Sequence, residues 1–80
     1  MQMKYLMYDV HGTPRPFLFG ADMAHADIHQ MVGGAFDLIG AGFVTAQNCA
    51  PRAYGSSTTL RVGARREDTA IIRQHLGWED

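Results

Sequence analysis

The chain has 80 residues, of which 46% are hydrophobic and 19% charged, and its formal net charge is −1. That length makes one domain with a small core and leaves little room for a deep substrate cavity. The near-zero charge argues against a general nucleic-acid binder, which carries a basic surplus, and leaves little long-range repulsion to oppose self-association.

Cys49 is the single cysteine, so no internal disulfide can form and a reducing compartment is expected. The N-terminal stretch MQMKYLMYDV lacks the long apolar region and the small-residue cleavage site of a signal peptide. No apolar run approaches the length of a membrane span. These features predict a cytosolic protein, the cytosol of a host cell included, with no membrane partner.

Residues 3–10 alternate loosely and carry strand-forming Tyr and Val. The turn signal His11-Gly12-Thr13-Pro14 leads into PFLFG, whose Phe17 and Phe19 share one strand face. The two runs predict a hairpin, with Pro16 opening its second strand. Asp22 is the expected N-cap of a helix over residues 23–32, which places Ala24, Ile28, Met31 and Val32 on one face. Gly33-Gly34 stops it. Residues 37–47 read as a third strand, QNCAPRAYGSS as a long loop and STTLRV as a fourth strand. ARREDTAIIRQHLG reads as a second helix ending at Gly77, with Trp78 folding back onto apolar surface.

The order ββαββα suggests a tandem repeat, with halves at about residues 1–34 and 35–80. Phe19-Gly20-Ala21 is echoed by Val62-Gly63-Ala64, and the Ala26, Ile28, Gln30, Gly33 pattern by Ala70, Ile72, Gln74, Gly77. The expected fold is therefore α+β: a four-stranded, mostly antiparallel sheet with two helices on one face. The other sheet face would stay open to water or to a partner.

Gly40-Ala41-Gly42 invites a dinucleotide-binding reading, which the surrounding residues exclude. Thr45 stands where a Gly or Ala is needed for close helix packing, the β-branched Val44 and Thr45 disfavour a following helix, and no acid lies about 20 residues on. The remaining reading is a slim strand segment that lets a helix or another chain lie close. His25 and His29 share a helix stripe at the i, i+4 spacing of zinc ligands, with Asp22 a turn earlier and Asp9 and His11 as candidate further ligands. Asp22 is explained as a cap, and the stripe borders the apolar face where polar residues belong. No metal and no cofactor is expected. His75 falls among Ile71, Ile72 and Leu76, as does Asp68, so His75 is expected to be partly buried and hydrogen-bonded. Cys49 lacks a motif that would mark a nucleophile.

The long loop carries Arg52 and Tyr54, residue types enriched at interfaces. Arg65-Arg66 opens the second helix against its dipole, an arrangement that suits a partner better than the helix. Arg52, Tyr54, Arg61, Arg65 and Arg66 are the candidate partner-binding residues.

The segments FLFGADMAHADI, AGFVTA and YGSSTTLRVGARREDTAII resemble small uncharacterised proteins carried by prophages, plasmids and integrated mobile elements. The resemblance spans most of the chain and implies a setting, not an activity. Proteins in that setting often bind and block a host protein, including components of defence systems such as CRISPR effectors. The expectation is a non-enzymatic interaction protein acting stoichiometrically on a host protein or complex, with a homodimer through the open sheet face or a sheet edge. The alternative is a nucleic-acid-binding accessory protein using Arg52, Arg61 and Arg65.

Overall fold

The computed structural model describes residues 2–45 and 50–78. Strand β1 (Gln2–Val10) and strand β2 (Thr13–Gly20) form the expected hairpin. His11 (φ 54°) and Gly12 (φ 84°) both take left-handed conformations, the requirement of the tight primed turn that suits a two-residue hairpin loop. The Asp9 carboxylate accepts the Gly12 N–H at 2.8 Å and fixes the turn.

Helix α1 (His25–Val32) follows. Asp22 is not its cap. Ala24 occupies the N-cap position without a side-chain hydrogen bond, and Asp22 sits in a turn closed by the Met23 N–H on the Gly20 carbonyl. Ile28 is buried, whereas Met31, expected on the same face, is 77% exposed. Gly33 (φ 75°) ends the helix and a short 3₁₀ turn (Gly33–Ala35) leads into strand β3 (Asp37–Thr45).

The fourth strand differs from the expectation. Strand β4 (Arg52–Tyr54) lies inside the predicted loop and pairs with β3 over three residues. STTLRV instead splits into strands β5 (Ser56–Ser57) and β6 (Val62–Gly63), a small separate hairpin. Its turn places Arg61 at φ 57°, which no continuous strand accommodates. Helix α2 (Asp68–His75) closes the chain and is shorter than predicted, because residues 64–67 precede it. Its end is a Schellman motif: Gly77 (φ 72°) donates to Gln74 and Trp78 to Arg73. The Trp78 ring remains 44% exposed. Cys49 and the predicted strand end at residues 46–47 lie outside the described residues. No helix among the described residues is long and apolar enough to cross a membrane.

The main sheet is antiparallel with order β2-β1-β3-β4. The two helices do not share a face. Leu6 and Tyr8 point to one side, where they pack with Phe19, Ala41 and Ile28 of α1. Tyr5 and Met7 point to the other, where they pack with Val44 and Ile72 of α2. Strand side chains alternate, so these clusters lie on opposite faces, and Tyr5 to Tyr8 are all buried. This geometry also speaks against a symmetric tandem ββα repeat. The two-fold that exchanges antiparallel β1 and β3 is perpendicular to the sheet and would put both helices on one side. Both faces of the sheet centre are covered at Tyr5 to Tyr8, so the open sheet face expected from the sequence is not present there.

Candidate functional site

The central strands position two side-chain systems, one per face. On the α2 face, Asp68 is fully buried. Its Oδ2 accepts the Tyr5 hydroxyl at 2.7 Å and the Arg65 backbone N–H at 3.1 Å. Its Oδ1 accepts Arg65 Nε at 2.9 Å, and Nη2 approaches the same oxygen at 2.8 Å without finding an aligned acceptor of its own. Burial, and then the hydrogen bond to the Asp68 carboxylate, hold the Tyr5 phenol far above the ordinary tyrosine range. This cluster fits because β3 offers glycine opposite it: a Cβ on Gly40 would lie 2.5 Å from Asp68 Oδ2. Gly42 serves a second close approach, because a Cβ there would strike the Tyr54 carbonyl. The glycine step is slim for two different neighbours.

On the α1 face a row of rings crosses the sheet. Tyr54 and Phe43 have centroids 5.7 Å apart, Phe43 and His25 5.6 Å, His25 and Phe19 5.6 Å, and Phe19 and Phe17 6.5 Å. The register aligns Phe19, Lys4, Phe43 and Tyr54 across four strands. Lys4 interrupts the aromatics, and His25 of α1 fills the row between Phe19 and Phe43. His25 is buried and its Nε2–H donates to the Gly42 carbonyl at 2.8 Å. His29 stacks on Tyr8, and the Tyr8 hydroxyl and His29 Nδ1 share a hydrogen bond at 2.9 Å. Burial raises the Tyr8 pKa. The two histidines that share the i, i+4 spacing of zinc ligands are engaged separately. Among the described residues no group of three His, Cys, Asp or Glu is placed to hold a metal.

At the other end of α1, an apolar groove of about 240 Å³ opens between the helix end and β2. β1 contributes Tyr8 and Val10 to its lining, β2 contributes Arg15, Pro16 and Phe17, and the end of α1 and the turn after it contribute Val32 and Phe36. Phe17 is 48% and Phe36 37% exposed. This groove escaped the sequence reading. Phe17 was visible as a strand residue, but Phe36 reaches the groove only because Gly33 redirects the chain after α1.

The residues singled out from the sequence lie on three segments. Arg52 and Tyr54 are exposed on β4, and Arg61 and Arg66 are exposed on the hairpin turn and before α2. Arg65 is tied to Asp68. His75, expected to be partly buried, is exposed, and Asp68 is the buried group of α2. Comparison with protein-family models, curated proteins and solved structures finds no match to the chain.

Proposed function

We propose that this protein acts without catalysis, by stoichiometric binding of another protein in the apolar groove between β2 and the end of α1. The observation that carries the reading is the pair Phe17 and Phe36, both partly exposed in a groove that Tyr8, Val10 and Val32 also line. Exposed apolar surface gathered in one concave place marks a contact site more often than scattered exposed residues do. A groove of this size takes one or two apolar side chains of a partner, with Arg15 at its rim favouring an acidic flank. Three of the groups able to do acid–base chemistry are engaged within the fold: Asp68 by Tyr5 and Arg65, His25 by the Gly42 carbonyl, and His29 by Tyr8.

The resemblance to mobile-element proteins makes a host protein the partner class, and inhibition of a host defence complex the sharper form of the proposal. The nucleic-acid alternative has less support, because Arg65, one of its three arginines, is spent on Asp68. Size-exclusion of the protein with fractionated host lysate, with and without Phe17→Asp, tests the reading. A partner that co-elutes with the wild type and not with Phe17→Asp is the expected result. Equal co-elution, or recovery of nucleic acid alone, contradicts it.

A further inference from the structure

A second cleft, of about 220 Å³, lies at the opposite end of α1 from the groove. It is lined by residues 24–26 at the start of α1, by Lys4 of β1, by Phe43 of β3 and by the hydroxyl run from Ser56 to Thr59. Its hydroxyls can donate as well as accept, and its one charged lining group, Lys4, only donates. Lys4 Nζ donates to the Met23 carbonyl at 2.8 Å, which leaves two of its three N–H groups. Ser57 is 4% exposed and its oxygen receives only a long contact from the Leu60 N–H, at 3.4 Å. Its hydroxyl proton therefore has no acceptor among the described residues. His25, 7% exposed, spends one ring nitrogen on Gly42 and also lines the cleft. The helix beside it starts at Ala24 with no side-chain cap, and the Asp27 N–H turns back to the Ala24 carbonyl, which leaves the His25 and Ala26 N–H groups at the positive pole of the helix. No carboxylate is among the lining residues.

We propose that this cleft binds a small phosphate-type oxoanion, held by Lys4, the Ser57 and Thr58 hydroxyls and the first-turn amides of α1. A buried hydroxyl, an ammonium and two uncapped helix amides lining one concave space suit an anion whose oxygens mostly accept hydrogen bonds. The size of the cleft and the chain's net charge of −1 suit a free phosphate or a small monoester better than a polyanionic strand.

The test is a ¹H–¹⁵N NMR titration at constant ionic strength with inorganic phosphate, O-phosphoserine, sodium chloride and a 12-nucleotide single-stranded DNA as separate arms. Phosphate is expected to give saturable shifts at His25, Ala26 and residues 57–59, with chloride giving none. O-Phosphoserine binding more tightly than phosphate would identify a monoester as the source, and the reverse would identify the free ion. Lys4→Gln is expected to weaken binding about tenfold, by loss of a charged hydrogen bond. Thr58→Val, on an exposed side chain whose loss leaves the fold intact, is expected to weaken it by a smaller factor, and Arg66→Gln to leave it unchanged. Non-saturating shifts shared with chloride would overturn the proposal. So would affinities unmoved by both Lys4→Gln and Thr58→Val, or DNA binding stronger than either small anion.

Discussion

Gly40 and Asp68 are the residue pair on which the α2 face turns. A methyl group at position 40 meets a buried carboxylate that cannot withdraw, because Tyr5 and Arg65 hold both its oxygens. Gly40→Ala is therefore expected to lower stability by about 1–3 kcal/mol, the usual range for overpacking. Asp68→Ala is expected to cost about 2–3 kcal/mol, below the figure for a fully buried pair because Arg65 keeps 30% of its side chain exposed. Urea denaturation of the two single variants and the double variant checks the mechanism. The double variant should cost less than the sum, since removing the carboxylate removes the clash. Strict additivity would mean that the two residues do not meet. Tyr5 adds a pH dependence. Its phenol titrates far above its ordinary range in the folded chain, through burial and the Asp68 bond, and near pH 10 in the unfolded one. Above about pH 10 the unfolded chain releases a proton that the folded chain keeps, so stability should fall as pH rises. Below that range Tyr5 adds no pH dependence. Tyr5→Phe should flatten the alkaline decline, leaving the part due to Tyr8. Equal slopes for both proteins between pH 9 and 11 would contradict this assignment.

At the scale of elements, the hairpin, both helices and the third strand were legible because turn glycines and prolines punctuate them. The layering was misread. Tyr5-Leu6-Met7-Tyr8 is an unbroken apolar run, the pattern of a strand covered on both sides, although the flanking Lys4 and Asp9 make the segment look like a loose alternation. The bulge in β3 was invisible in the sequence. Tyr8 pairs with Leu38 while Met7 pairs with Gly40, so Ile39 is the extra residue. That places Leu38 against the α1 cluster and Ile39 against the α2 cluster. Strand β4 was missed because three residues carry no period, and because its outer edge is completed from far along the chain. The Ala53 N–H donates to Thr69 Oγ1 at 3.0 Å, and Arg73 Nε donates to the Pro51 carbonyl at 2.8 Å. The opposite edge is protected differently. Pro14 and Pro16 lie opposite Asp9 and Met7 in the ladder, where an unbroken ladder requires their nitrogens to face outward. Two outward donors of β2 are thereby removed, the usual guard against edge-to-edge pairing. Light scattering tests this: Pro14→Val together with Pro16→Val should raise self-association relative to wild type. Thr69→Val, which strands the Ala53 N–H, should cost about 1–3 kcal/mol in urea denaturation. No change in either measurement would mean that the edges are guarded by something else.

For the whole molecule, the helices on opposite faces leave the periphery as the place for function. The candidate residues read from the sequence were chosen by type, and they scatter over β4, the small hairpin and the approach to α2. The groove depends on three segments meeting, β1, β2 and the turn after α1, and this is why no short stretch of sequence announces it. Its exposed members Phe17 and Phe36, unlike the core residues Tyr8, Val10 and Val32 beneath them, are the positions to substitute. Site-specific photo-crosslinking answers the functional question most directly. A photoreactive phenylalanine analogue would replace Phe17 in one protein and exposed Arg66 in another, each irradiated in host lysate. Binding through the groove predicts one discrete crosslinked protein from position 17, competed away by excess wild type but not by Phe36→Asp, and absent from position 66. The same products from both positions, or none that wild type competes, would contradict it.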